Sequence, residues 1–219
     1  MKVSQLSDQA RKHLANIYEY YEKYPGLTSQ ARLYREILSA YYNLLIPAFA
    51  SVLEVGCGAG ELLARLRVTQ RSGVDLSPRQ IELVKQKIPN GTFYVQAGEE
   101  LDLPGKSFDY IIASETVNLA ADVQRFCESL KSVSHENTRL IVNIYSSLWR
   151  PLIWFATALG LRIRQPESNW LSKEDIAGLM YLSGWELIRH ESRTLCPVKL
   201  FGIERLFNRF VPASMCNCA

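Results

Sequence analysis

The run Val52-Leu53-Glu54-Val55-Gly56-Cys57-Gly58-Ala59-Gly60 constrains this chain more than any other stretch. Ser51 to Val55 is a short β-like segment that meets a glycine at its carboxyl end, and Asp75 stands 19 residues beyond Gly56, closing a second apolar run at Gly73-Val74-Asp75. Glycines directly after a first strand let the backbone turn tightly and let a ligand approach closer than any side chain permits. An acid about 20 residues on, at the end of a second strand, suits a bidentate grip on ribose hydroxyls. Together they predict an adenosine-containing ligand lying across the carboxyl ends of the strands.

The glycine spacing narrows the ligand. A dinucleotide fold wants G-x-G-x-x-G, whereas this chain has Gly56, Gly58 and Gly60, with Glu61 where the last glycine should be. A glutamate opening a helix is a poor neighbour for a pyrophosphate. The spacing therefore disfavours NAD and an oxidoreductase role.

Strand and helix signals alternate around this loop. Residues 8–24 and 29–46 read as two helices broken by Tyr24-Pro25-Gly26, and Pro47 ends the second. Glu61 to Arg67 is helical in composition. Ser77-Pro78 starts a helix to about Lys87, Thr92 to Gln96 makes a third strand and Phe108 to Ala113 a fourth; a helix from about Asp122 to Val133 leads to a fifth at Arg139 to Tyr145. Ser172 caps a helix through Leu182, and Trp185 to Thr194 is a sixth strand; helices are also expected near 149–159 and 199–210. Strands separated by helices imply an α/β protein with a mostly parallel sheet covered on both faces. We divide it into an N-terminal helical cap, 1–47, and a core, 48–219, with an aromatic insertion at 146–170.

Composition excludes several classes. With 21% charged and 47% apolar residues the 219-residue chain is neither disordered nor a coiled coil. The net charge of +3 is not gathered into a basic stripe, which argues against nucleic acid as partner. The five cysteines are odd in number and scattered, and Met1-Lys2-Val3 opens no signal-peptide pattern, so a reduced, cytoplasmic protein is expected. Cys216-Asn217-Cys218 has no matching pair elsewhere, so no metal is expected. The apolar stretch Leu148 to Leu161 is interrupted by Arg150 and Pro151 and is too short to span a bilayer. Trp149 to Phe155 could lie on a membrane surface, the less favoured reading.

On Glu54 to Gly60, Asp75 within Gly-Val-Asp-Leu-Ser-Pro, Gly98-Glu99-Glu100-Leu101-Asp102-Leu103-Pro104 and Ser107-Phe108-Asp109, the chain resembles the class I S-adenosylmethionine (SAM)-dependent methyltransferases of the type 11/12 kind. The resemblance covers about residues 34 to 212. It implies a Rossmann-like, doubly wound sheet with SAM as cofactor. Arg139 to Trp149 and Gln165 to Ser172 are similar to a bacterial subgroup fused or adjacent to family 2 glycosyltransferases. That narrower likeness implies a saccharide or glycolipid acceptor, beside small molecules generally, and a glycosyltransferase as partner.

The same resemblance assigns site residues. Gly56, Gly58 and Gly60 carry the methionyl loop, Asp75 the ribose, Leu76 the adenine edge, and Glu99, with Glu100 as a second register, the adenine rim. Glu54 either holds the SAM ammonium through water or is a satisfied strand-end carboxylate. Ser114 to Asn118 should pass close to the transferred methyl. Catalytic candidates are Asn118, Tyr145 and His13, the one histidine that a folded-over cap can bring to the site; Tyr21, Asn118, Tyr145, Trp149 and Trp170 are candidates for the acceptor. Seven tyrosines lie in the first 50 residues and all four tryptophans after 148, so the aromatic flanks are the expected acceptor side. With no evident base, a SAM-binding regulatory or assembly module without turnover is the rival reading.

The family fold has seven strands, whereas the patterning yields six. Residues 213–219 are short and polar for a central strand. The expectation is a chain that stops just before or within strand seven.

Overall fold

The computed structural model describes residues 6–23, 29–144, 154, 155, 157, 166, 169–193 and 212–218. Two helices open it, α1 (Asp8–Glu22) and α2 (Ser29–Leu45). There follow β1 (Ser51–Val55), β2 (Gln70–Asp75), α3 (Pro78–Lys87), β3 (Thr92–Val95), β4 (Tyr110–Ser114), α4 (Val123–Ser129), β5 (Arg139–Asn143), α5 (Lys173–Leu182), β6 (Leu187–Arg193) and β7 (Pro212–Cys218).

The strands form one sheet in the order β3-β2-β1-β4-β5-β7-β6. β1 to β5 pair in parallel, while β7 runs antiparallel to both β5 and β6. The strand order reverses between β1 and β4, the switch point at which such sheets bind ligands outside their carboxyl ends.

Alternation along the strands builds the two faces. Leu53, Ile111, Ala113, Leu140 and Val142 join a layer with Phe126, Ile176, Met180 and Trp185 of the α4–α5 side. Val52, Ile112 and Ile141 join Leu38 and Tyr42 of α2, Ile46 just past its end, and Ile81 and Val84 of α3. By the same period of two, Glu54 lies on the α2–α3 face with Val52, a carboxylate in an apolar layer. α2 therefore packs directly on the sheet.

Two expectations change. The helix read over Glu61 to Arg67 is only a 3-10 turn, Leu63–Arg65, in which the Arg65 and Leu66 amides bond three residues back, to the Leu62 and Leu63 carbonyls, instead of four. The seventh strand is also whole: β7 has seven residues and is paired on both sides, Val142 opposite Cys216 and His190 opposite Cys216. Backbone pairing to two neighbours holds it, which composition does not report. The helices expected near 149–159 and 199–210, and most of the 146–170 insertion, lie outside the described residues.

Other ends match their local chemistry. Ser77 accepts the Gln80 amide at 3.2 Å and Pro78 opens α3. Ser172 and Asp175 form a reciprocal capping box at α5. No helix among the described residues is long and apolar enough to cross a membrane.

Candidate functional site

The loop after β1 turns on glycines with positive φ, +76° at Gly56 and +51° at Gly58. These two glycines are required for different reasons. A Cβ at Gly56 would run into the side chain of Thr116, whose hydroxyl donates to the Val55 carbonyl at 2.8 Å. That bond ties the ends of β1 and β4 together. A Cβ at Gly58 would meet nothing nearer than Gln80 Oε1 at 3.9 Å, so the backbone there borders open space. The Gly58 amide donates to Asp75 Oδ2 at 2.8 Å, while Asp75 Oδ1 accepts the Ser77 amide at 2.9 Å. The residues expected at the ribose and at the methionyl group are thus bonded to each other. Burial, the largest influence, raises the Asp75 carboxyl above the usual aspartate range. Leu76, next in the chain, is half-buried.

Glu54 is 3% exposed, and its Oε2 has no hydrogen-bond partner. Desolvation pushes its carboxyl up to about 8, against the pull of Arg35. Arg35, on α2, reaches over the end of β4: Nη1 donates to Ser114 Oγ at 3.0 Å and Nη2 pairs with Glu115 Oε2 at 2.7 Å. Glu115 is the one non-glycine with positive φ among the described residues, +65°, and its Oε1 is buried without a partner. A residue held in that region costs about 1–3 kcal/mol and persists where its surroundings over-determine it. Nearby, Asn143 at the end of β5 donates to the Tyr34 hydroxyl at 2.8 Å. α2 thereby covers the ends of β1, β4 and β5.

α1 spans the same edge. At one end Glu22 accepts from the Ser77 hydroxyl at 2.6 Å and the Arg79 amide at 3.2 Å, and the Tyr21 carbonyl accepts from Gln80 at 3.0 Å. At the other, His13 Nε2 is 3.0 Å from the Leu119 carbonyl, in the loop after β4. The helix therefore brings His13 to the site edge. The Tyr21 ring meets Tyr20 edge-on, with centroids 5.1 Å apart.

Three expected residues are occupied elsewhere. Glu99 is buried and its Oε1 accepts the Ala121 amide at 2.7 Å, which fixes the approach to α4. Glu100 pairs with Arg125 of α4 at 2.9 Å. Asn118 is buried, donates to the Asn169 carbonyl at 2.8 Å, and its own carbonyl accepts the Asn169 amide at 2.6 Å. It ties down the segment leading to half-buried Trp170. Buried polar groups need partners; backbone supplies them for Glu99 and Asn118, and the Arg125 side chain for the half-buried Glu100. Tyr145 and Trp149 lie outside the described residues. Arg35 is absent from the sequence expectations, since an ordinary arginine on a helix carries no local signal, and Glu115 entered them only as part of the Ser114 to Asn118 segment.

The fold recurs in solved methyltransferases. A SAM-dependent methyltransferase of Thermotoga maritima superposes with a TM-score of 0.67 at 18% identity, covering 96% of this chain and 97% of that one. The magnesium protoporphyrin IX methyltransferase of Synechocystis PCC 6803, solved with bound SAH, gives 0.66 at 16%, covering 94% and 98%. A Haloferax volcanii methyltransferase in complex with the Trm112 methyltransferase activator gives 0.68 at 12%, covering 93% and 96%. Among curated proteins none matches the chain. The family model described as a methyltransferase domain matches residues 28–190, and the chain belongs to that family.

Proposed function

We propose that this protein transfers a methyl group from S-adenosylmethionine to a small-molecule or saccharide-linked acceptor bound beneath α1 and α2. One observation carries the reading: open space at the Gly58 backbone, the Asp75 carboxylate and the buried, unpartnered Oε2 of Glu54 converge where the strand order reverses. These groups fit the cofactor. Each Asp75 oxygen takes one backbone N–H and keeps lone-pair capacity for ribose hydroxyls. The backbone of Gly56 and Gly58 lines the methionyl part, Glu54 receives the ammonium, and Leu76 packs at the adenine edge.

When bound, SAM supplies an electrophilic methyl on a sulfonium whose departure leaves a neutral thioether. The chain's own work is alignment and exclusion of water. α1, bonded to α3 at one end and to the β4 loop at the other, closes over the strand ends. Because a carbonyl only accepts, the contact with Leu119 places the proton on His13 Nε2 and the lone pair on Nδ1. His13 thus takes the proton when the acceptor is a hydroxyl or an ammonium. Tyr21 and Trp170 border the acceptor side.

The saccharide class, a glycosyltransferase partner and a cytoplasmic setting rest on the sequence resemblance and composition. Titration calorimetry with SAM, S-adenosylhomocysteine and NAD tests the cofactor, and NAD binding as well as SAM would overturn the reading. Turnover against sugars, glycolipids and small amines tests the acceptor and separates an enzyme from a SAM-binding module.

A further inference from the structure

Glu54 sits in an unusual electrostatic setting. It shares the α2–α3 face of the sheet with Val52, a position that β1's alternation reserves for an apolar side chain, and it is 3% exposed. The groups acting on it come from every side. Arg35 approaches from α2, Asp75 from the end of β2, Glu115 from the loop after β4, and the Leu63 amide from the turn after the glycine loop. Tyr42 of α2 is fully buried and is itself acted on by Glu54, Arg35 and Glu115, and Cys57 feels Glu54 as well. Arg35 is the cation of this group, and its guanidinium is directed to Ser114 and Glu115.

Three carboxylates and one guanidinium leave the cluster short of positive charge. Oε2 of Glu54 and Oε1 of Glu115 are both buried with no partner. A buried ionised oxygen without a donor is costly, and a proton on Glu54 removes that cost. A ligand ammonium removes it too, so proton and ligand cation compete for one carboxylate.

We propose that Glu54 releases a proton when S-adenosylmethionine binds, and that Arg35 and Glu115 are the positioning residues that set how tightly that proton is held. The O–H bond of the Glu54 carboxylic acid breaks, its proton passes to solvent, and the carboxylate pairs with the incoming ammonium. Glu115 draws the Arg35 guanidinium toward the β4 loop, which weakens its hold on Glu54. The direction of the Glu54 shift agrees, since burial keeps its carboxyl protonated to about 8 even with Arg35 opposing.

The proposal rests on the SAM reading of this site, and one experiment separates the two. SAM is titrated into the full chain by calorimetry in phosphate and in imidazole at about pH 7, and in borate and in glycine above about pH 9; the difference in heat between buffers counts protons. The expected count approaches one proton released per SAM at the lower pH and falls to zero or reverses to uptake at the higher, where Glu54 is already ionised and the α-amine of free SAM has lost its own proton. Glu54→Gln abolishes it. Glu115→Gln lowers the count at pH 7, because Glu54 then ionises more easily, while Arg35→Met extends release to higher pH. SAM binding with no buffer dependence in the unmodified chain, or an unchanged count in Glu54→Gln, overturns the proposal and leaves the cofactor reading standing. Absence of SAM binding overturns both.

Discussion

The Gly58 amide donates to Oδ2 of Asp75 at 2.8 Å, joining the loop after β1 to the acid at the end of β2 before any ligand enters. The two signatures of the site are one hydrogen-bonded unit.

Alanine therefore separates the glycines. Gly56→Ala places a Cβ against Thr116 and disturbs its bond to Val55, so a stability loss of about 2–4 kcal/mol is expected in denaturant unfolding. Gly58→Ala has room for the Cβ, and only the left-handed φ costs, about 1 kcal/mol. The second variant should fold and lose SAM affinity. Equal effects of the two on stability would contradict the assignment.

Asp75→Ala removes acceptors from the Gly58 and Ser77 amides as well as the ribose grip. A drop of about 1–3 kcal/mol in stability should accompany at least a tenfold fall in SAM affinity. Asp75→Asn keeps one acceptor but turns its NH2 against the other amide, so it should recover only part of the stability and not the affinity. Thermal melts paired with calorimetry resolve the two effects.

Stability without ligand should decline as pH rises from about 4.5 to about 8, because the Glu54 carboxyl titrates higher in the folded chain than in the unfolded one. The folded state holds the extra proton throughout that window, so raising pH favours unfolding. Above it this contribution is flat. Glu54→Gln should flatten that part of the profile, and urea midpoints measured across the window check it.

Breaking the Asn118–Asn169 contacts should loosen the Trp170 segment. Asn118→Ala leaves the Asn169 carbonyl without its donor, at a cost of about 1–3 kcal/mol. Trp170 fluorescence quenching should rise. If Asn118 instead oriented the acceptor, turnover would fall with no change in quenching.

Much of this was legible in the sequence because it is local. Ser77 and Pro78 start α3, Ser172 and Asp175 box the start of α5, and Gly56, Gly58 and Gly60 take positive φ where the spacing asked for it. Short apolar runs placed β1 to β5, the loop spacing pointed to an adenosine-containing ligand other than a dinucleotide, and the family resemblance named SAM. The partner of Glu99 was not legible, since the Ala121 amide that its Oε1 accepts lies 22 positions away in the chain.

What the amino-acid order determined is the alternating α/β scaffold and the loop that turns at its switch point, both products of near-neighbour sterics and periodicity. Only the tertiary structure decided the rest: that α1 carries His13 to Leu119, that Arg35 crosses 80 positions to hold Glu115, that a polar tail is a doubly paired strand, and that Glu54 faces an apolar layer. These depend on burial and on hydrogen bonds between elements far apart in the chain, where a group's partner, not its identity, sets its charge and its task.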